Sequence, residues 1–116
     1  MTVVKIVANL AATDVTGTSA FYERLFGMNV LMEMGWITTL GTGELAPVQL
    51  SIASEGGGGA PVPDLPIQVD DVDAVHDRAL ELNIPITYPL TDEPWGVRRF
   101  FVNDPMGRAL NILGQH

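Results

Sequence analysis

The stretch SEGGGGAPVP, residues 54–63, decides how the chain is read. Four consecutive glycines with two prolines close behind do not continue a strand or a helix, so the segment reads as a flexible connector. It is not a phosphate loop, because it lacks the lysine and the following serine or threonine. The connector divides 116 residues into two pieces of about equal size. Read outward from it, both pieces have the same grammar.

Upstream, Val3–Ala11 is a largely apolar run with several β-branched residues and reads as a strand. Asp14 is a good helix N-cap, Val15, Phe21 and Leu25 recur at roughly helical spacing, and Gly27 sits where a helix-ending glycine belongs. Strands are expected at Met28–Glu33, Trp36–Leu40 and Pro47–Ala53, punctuated by Gly35 and the GTGE turn at 41–44. Downstream, Asp64–Val69 reads as a short strand and Asp71 as the next N-cap. Val72, Val75, Ala79 and Leu82 form the apolar stripe of the second helix, with Leu80 to one side and Asn83 at its end. Ile84–Leu90, Val97–Asn103 and Arg108–Leu113 complete the piece, the last two joined by the turn DPMG. The expected fold is therefore α+β: one domain of two tandem βαβββ modules, 1–53 and 64–116, joined by the 54–63 linker. Asp14 and Asp71 mark equivalent positions, and Phe21, Leu25, Val72 and Val75 should be buried.

Composition narrows the partners. Hydrophobic residues make up 47% of the chain, enough for a packed core. The absence of cysteine removes disulfides, thiolate nucleophiles and cysteine-based metal sites. Six basic against fourteen acidic side chains give a net charge of −8, which disfavours nucleic acid and anionic membrane surfaces and welcomes a cationic small molecule. No apolar run is long enough for a membrane span, and the first residues lack a basic signal-peptide region, so a cytoplasmic location is expected.

Strand alternation separates the side chains that pack under helices from those that face away. Aliphatic sets such as Val48, Leu50 and Ile52 belong under helices. The mixed sets share a second face, either solvated or the wall of a groove. The candidate groove residues are Val7, Asn9, Trp36, Gln49, Ser51, Asp64, Gln68, Trp95, Phe100 and Asn111. Trp95 reads either as an aromatic wall for a flat ligand, with Asp92 and Glu93 nearby to attract a cation, or as a packing anchor. Trp36 has the same two readings, with small and polar neighbours favouring the groove. His76 reads as a helix-surface residue and His116 as a chain end, so no catalytic residue is assigned. Met28, Met32 and Met34 fit a core or a dimer interface. Asp70, Asp71, Asp73 and Asp77 read as a solvated helix start.

Three segments carry a family likeness: ATDV with SAFYERLFG within residues 12–27, VDDVDA at 69–74, and PWGVRRFFVNDPMGRALNIL at 94–113. Together they resemble the vicinal oxygen chelate superfamily of glyoxalases, bleomycin-resistance proteins and dioxygenases. The opening and closing segments look most like the bleomycin-resistance type, which binds its drug without a metal. The superfamily's enzymes hold a divalent metal on the first and last strands of each module. The corresponding positions here are Val7, Ser51, Asp64 and Asn111, with Gln49 taking the place of Ser51 if the register shifts by two. Val7 cannot ligate, serine is a poor ligand, and Asn111 replaces the usual glutamate. The resemblance therefore implies the fold without its metal centre: a cofactor-free protein binding a cationic or aromatic compound, such as an antibiotic. The alternatives are a metal-dependent lyase, isomerase or dioxygenase with Gln49, Asp64 and Asn111 as ligands, and a non-catalytic regulatory subunit. A homodimer is expected, because open sheet edges invite pairing and two-fold dimers are the commonest assembly. The first strand and the Met-bearing second strand are the expected contact surfaces, with Val7 and Ser51 of one protomer facing Asp64 and Asn111 of its partner.

Overall fold

The computed structural model describes residues 2–42 and 49–115. The start of the Pro47–Ala53 strand, the second half of the GTGE turn and His116 lie outside the described residues. The chain forms two compact units, Val7–Val62 and Met1–Ile6 with Pro63–His116. In the first, β2 (Ala8–Ala11), α1 (Val15–Phe26), β3 (Asn29–Glu33), β4 (Ile37–Gly41) and β5 (Gln49–Ala53) follow β1 (Val3–Ile6) in the chain. In the second are β6 (Leu65–Val69), α2 (Val72–Glu81), β7 (Ile86–Asp92), β8 (Val97–Asn103) and β9 (Ala109–Gln115). The sheets run β2-β5-β4-β3 and β1-β6-β9-β8-β7. Apart from β1, the order is the same, and in each the first and last module strands pair in parallel. Leaving β1 aside, both units are βαβββ modules.

The N-terminus departs from the reading. Val3–Ala11 is two strands, broken at Val7. β1 pairs antiparallel with β6, and β2 pairs parallel with β5. Val3–Ile6, expected in module one, thus completes the sheet of the other unit. No glycine or proline marks the change, so a continuous apolar run hides it.

The helices begin as their caps dictate. The Gly17 N–H donates to Asp14 Oδ1 at 2.9 Å, and the Ala74 N–H to Asp71 Oδ1 at 3.0 Å. Glycine at position 17 lets this carboxylate close in, since a Cβ there would stand 2.2 Å from Asp14 Oδ2. Gly27 and Asn83 take left-handed conformations at φ 65° and 58°. The linker is more tightly bonded than a flexible connector: Gly56 N–H donates to Ala60 O at 2.6 Å and Gly59 N–H to Glu55 Oε1 at 2.9 Å. It forms no strand, and a Cβ at Gly56 would collide with the Pro61 carbonyl at 2.2 Å.

Each unit has its own core. Val69, Val72, Ala79, Phe100, Val102 and Ile112 bury together, with Val75 packed against them. Val15, Leu40 and Ile52 form the other, joined by Tyr22 and Met28. Phe21 and Leu25, expected inside, are 57% and 61% exposed. The inward line of α1 is instead Val15, Ser19 and Tyr22, which share a face at intervals of four and three residues. A serine and a tyrosine on that line conceal it from an apolar-stripe reading. Leu82, expected on the α2 stripe, is 60% exposed because the helix ends at Glu81. Among the described residues no helix is long and apolar enough to cross a membrane.

The DPMG turn is held by one carboxylate. Asp104 Oδ1 accepts the N–H groups of Met106 and Arg108, both at 2.9 Å. The Arg108 N–H above all holds the Asp104 carboxyl below its ordinary value. A depressed folded-state value means that this contribution is present above the unfolded pKa and is lost as pH falls through the folded one. Denaturant midpoints should therefore decline below about pH 4, and Asp104→Asn should flatten that decline. In the core, Phe100→Ala should cost about 3–5 kcal/mol by equilibrium unfolding. Phe21→Ala should cost far less wherever α1's outer face meets water, and an equal cost would show that an assembly buries that face.

Candidate functional site

Each sheet turns one face to its helix and the other away, and alternation assigns the side chains. In the Val7–Val62 unit, Leu40 and Ile52 lie under α1. The opposite set includes a polar row, because Asn9 is in register with Ser51 and Ser51 with Thr39. Ser51 Oγ and Thr39 Oγ1 are buried and 2.8 Å apart. One hydroxyl donates to the other, so a single hydroxyl hydrogen is left to point elsewhere. Gln49, half-buried, stands on the same face two residues before Ser51, opposite Gly41. Val7 is half-buried between β1 and β2. Trp36 is half-buried, and its carbonyl accepts the Ser54 N–H at 2.9 Å.

In the unit containing residues 63–116, Phe100, Val102 and Ile112 fill the core under α2. Phe100, expected in the groove, is completely buried, and the His76 imidazole meets its ring edge-on at 4.9 Å. Parity then sends Arg99, Phe101 and Asn111 to the other face. Asn111 lies between Pro66 on β6 and Phe101 on β8, and Tyr88 on β7 is in register with Phe101. The Tyr88 and Phe101 rings stack at 4.8 Å. Gln68 continues this face beside Leu113, with Lys5 of β1 as its other register partner.

Above Phe101 is an ion pair that the sequence reading does not contain. Arg99 Nη2 is 2.6 Å from Glu93 Oε2, with side-chain exposures of 3% and 7%. The Tyr88 hydroxyl donates to the same carboxylate oxygen at 3.0 Å. The guanidinium carbon sits 4.9 Å from the Tyr88 ring centre, 5.1 Å from Trp95 and 5.0 Å from Phe101. Trp95 therefore packs against the chain's own cation. A buried charge pair offsets its desolvation only with good geometry and further partners, both present here. The signal that could have exposed it is the parity of VRRFFVN: once Phe100 is inside, Arg99 must be outside it. Arg98, pointing the other way, grips Asp92 at 2.6 Å and Asp73 at 3.1 Å, joining β7 and β8 to the start of α2.

The four positions at which the resembling enzymes hold a metal can now be tested against their surroundings. Val7 carries no donor. Ser51 Oγ is bonded to Thr39. Asp64, a groove and metal candidate, instead clamps the start of β9: its Oδ2 accepts the Ala109 N–H at 2.7 Å. Asn111 offers a neutral amide. This donor set does not fit a divalent metal, which needs several anionic or imidazole ligands. Among the described residues no group of three or more histidine, cysteine, aspartate or glutamate side chains is placed to hold one.

The model of the Glyoxalase/Bleomycin resistance protein/Dioxygenase superfamily matches residues 4–112. The chain belongs to this superfamily. Its fold recurs in a Legionella pneumophila protein described as an NAD-dependent benzaldehyde dehydrogenase, at TM-score 0.77 and 18% identity over 97% of this chain and 100% of the other. A superfamily member from Vibrio splendidus 12B01 gives 0.70 and 20%, over 96% and 98%. A variant of Streptomyces coelicolor methylmalonyl-CoA epimerase gives 0.72 and 17%, over 98% and 99%. At these identities the likeness is one of fold. None of the curated proteins matches the sequence.

Removing one partner of the buried pair should be expensive. Glu93→Gln leaves Arg99 charged and uncompensated, and should lower unfolding free energy by about 3–5 kcal/mol. Asp92→Asn, at an exposed pair, should cost about 1 kcal/mol or less. Parallel urea titrations of the two variants check the ranking.

Proposed function

We propose that this superfamily member is a metal-independent, cofactor-free binding protein of the bleomycin-resistance kind, acting in the cytoplasm on a flat aromatic or cationic compound. The donor set carries the reading. At the positions where the superfamily's enzymes ligate a metal, this chain has a valine, a serine bonded to Thr39, an aspartate committed to the Ala109 N–H, and an amide. A metal enzyme would have to share Asp64 with the Ala109 N–H and recruit further anions. The net charge of −8 favours a cationic ligand, and the neutral polar row through Asn9, Ser51 and Thr39 suits hydrogen bonding without charge.

We also infer a homodimer. Val3, Val4 and Ile6 of edge strand β1 are 52%, 58% and 56% exposed, and Val30, Leu31 and Met32 of edge strand β3 are 49%, 41% and 40% exposed. Apolar edge strands are costly to leave in water and prone to pair. These are the surfaces the Met-bearing strand and the first strand present. An antibiotic is the ligand class that this reading favours, with sequestration as the mode of resistance.

Calorimetric titration of chelator-treated protein with bleomycin and other cationic aromatic compounds should show stoichiometric binding to at least one. Binding that appears only after Ni²⁺, Mn²⁺ or Zn²⁺ is added would overturn the reading. Light scattering at micromolar concentration should give twice the 12.5 kDa chain mass, and the monomer mass would refute the dimer.

A further inference from the structure

The face of the second sheet carries a polar atom whose demand is not met. Asn111 is 8% exposed, and its Oδ1 is buried with no hydrogen-bond partner among the described residues. A buried acceptor left unmatched is unfavourable, and an apolar residue of similar size would be easier to accommodate there. Its neighbours define what could match it. Phe101 stands beside it across β8, Tyr88 follows on β7, and their rings are inclined by only 30°. Phe101 is buried, whereas Tyr88 and Trp95 are half-buried. Arg99, the cation beside these rings, is 2.6 Å from Glu93, so the pair adds no net charge.

We propose that Asn111 Oδ1 is the anchoring acceptor of a ligand subsite on this face, and that it takes an N–H donor on an aromatic group, of the aryl-amidine class. The inference rests on the metal-independent reading and narrows its ligand. The amide oxygen accepts from the ligand's N–H, the half-buried Tyr88 and Trp95 are the aromatic side chains nearby for its ring, and the acidic chain favours a cation. An aryl carboxylate is disfavoured: Asn111 Oδ1 repels it, and so do Glu93 beside Arg99 and the net charge of the chain.

The test uses the full chain, chelator-treated, with benzamidine, benzyl alcohol and benzoate as probes. Benzamidine should raise the melting temperature and bind by calorimetry, with benzyl alcohol weaker and benzoate silent. Asn111→Leu should weaken benzamidine by about tenfold to a hundredfold, the range of one hydrogen bond to a charged group. The unliganded variant should melt at or above the parent temperature, because the unmatched acceptor has gone. A residue kept for structure alone would give the reverse, a lower melting temperature with unchanged affinity, and would overturn the proposal. Asn111→Asp, which keeps the acceptor and adds charge, should bind benzamidine more tightly than the parent. Unchanged or weaker binding by that variant, no response of the parent protein at millimolar benzamidine, or a response to benzoate instead, would each overturn it. Metal-free bleomycin binding that persists undiminished in Asn111→Leu would sink this inference alone, whereas binding of every compound only with added metal would sink the reading beneath it.

Discussion

Phe100 is completely buried against α2, and much of the second unit follows from that placement. Burying one phenylalanine contributes about 1.5–3 kcal/mol, and a strand cannot turn one residue inward without turning its neighbours outward. Arg99 and Phe101 are therefore forced to the far face. A guanidinium sent there and buried needs a counter-charge, and Glu93 supplies it across the turn between β7 and β8. Three aromatic rings then enclose the cation, and the Tyr88 hydroxyl completes the carboxylate. One packing decision thus sets both the core and the chemistry of the opposite surface.

The same logic separates what the amino-acid pattern reveals from what it conceals. Local signals are legible: Asp14 and Asp71 cap their helices, Gly27 and Asn83 end them, and the DPMG turn closes as its residues require. These features depend on neighbours within a few positions. The repeated succession of strand, helix and three strands is legible in the same local signals. Long-range choices are not. Nothing within Val3–Ala11 announces that its halves serve different sheets, because pairing partners on β6 and β5, far along the chain, decide it. Ser19 and Tyr22, polar types on an inward line, hide the buried face of α1.

The candidate site was legible in part. Parity places Asn9, Ser51 and Asn111 on faces turned from the helices, as expected. Phe100, expected in the groove, faces the core instead, because two adjacent phenylalanines offer no contrast and the register with Ile112 is what resolves them. Asp64 looked like a ligand, since a carboxylate at a strand start has no sequence mark distinguishing a clamp from a donor. Its bond to the Ala109 N–H makes the difference. Trp95 was open to two roles, and its stacking on Arg99 gives it a packing task whatever else it touches.

The proposal that this superfamily member binds its ligand without a metal rests on the donor set at Val7, Ser51, Asp64 and Asn111. Metal analysis of the purified protein after equilibration with Ni²⁺, Mn²⁺ and Zn²⁺ and desalting tests it most directly. The account predicts far less than one metal ion per chain for each of them. One tightly held ion per chain would contradict it.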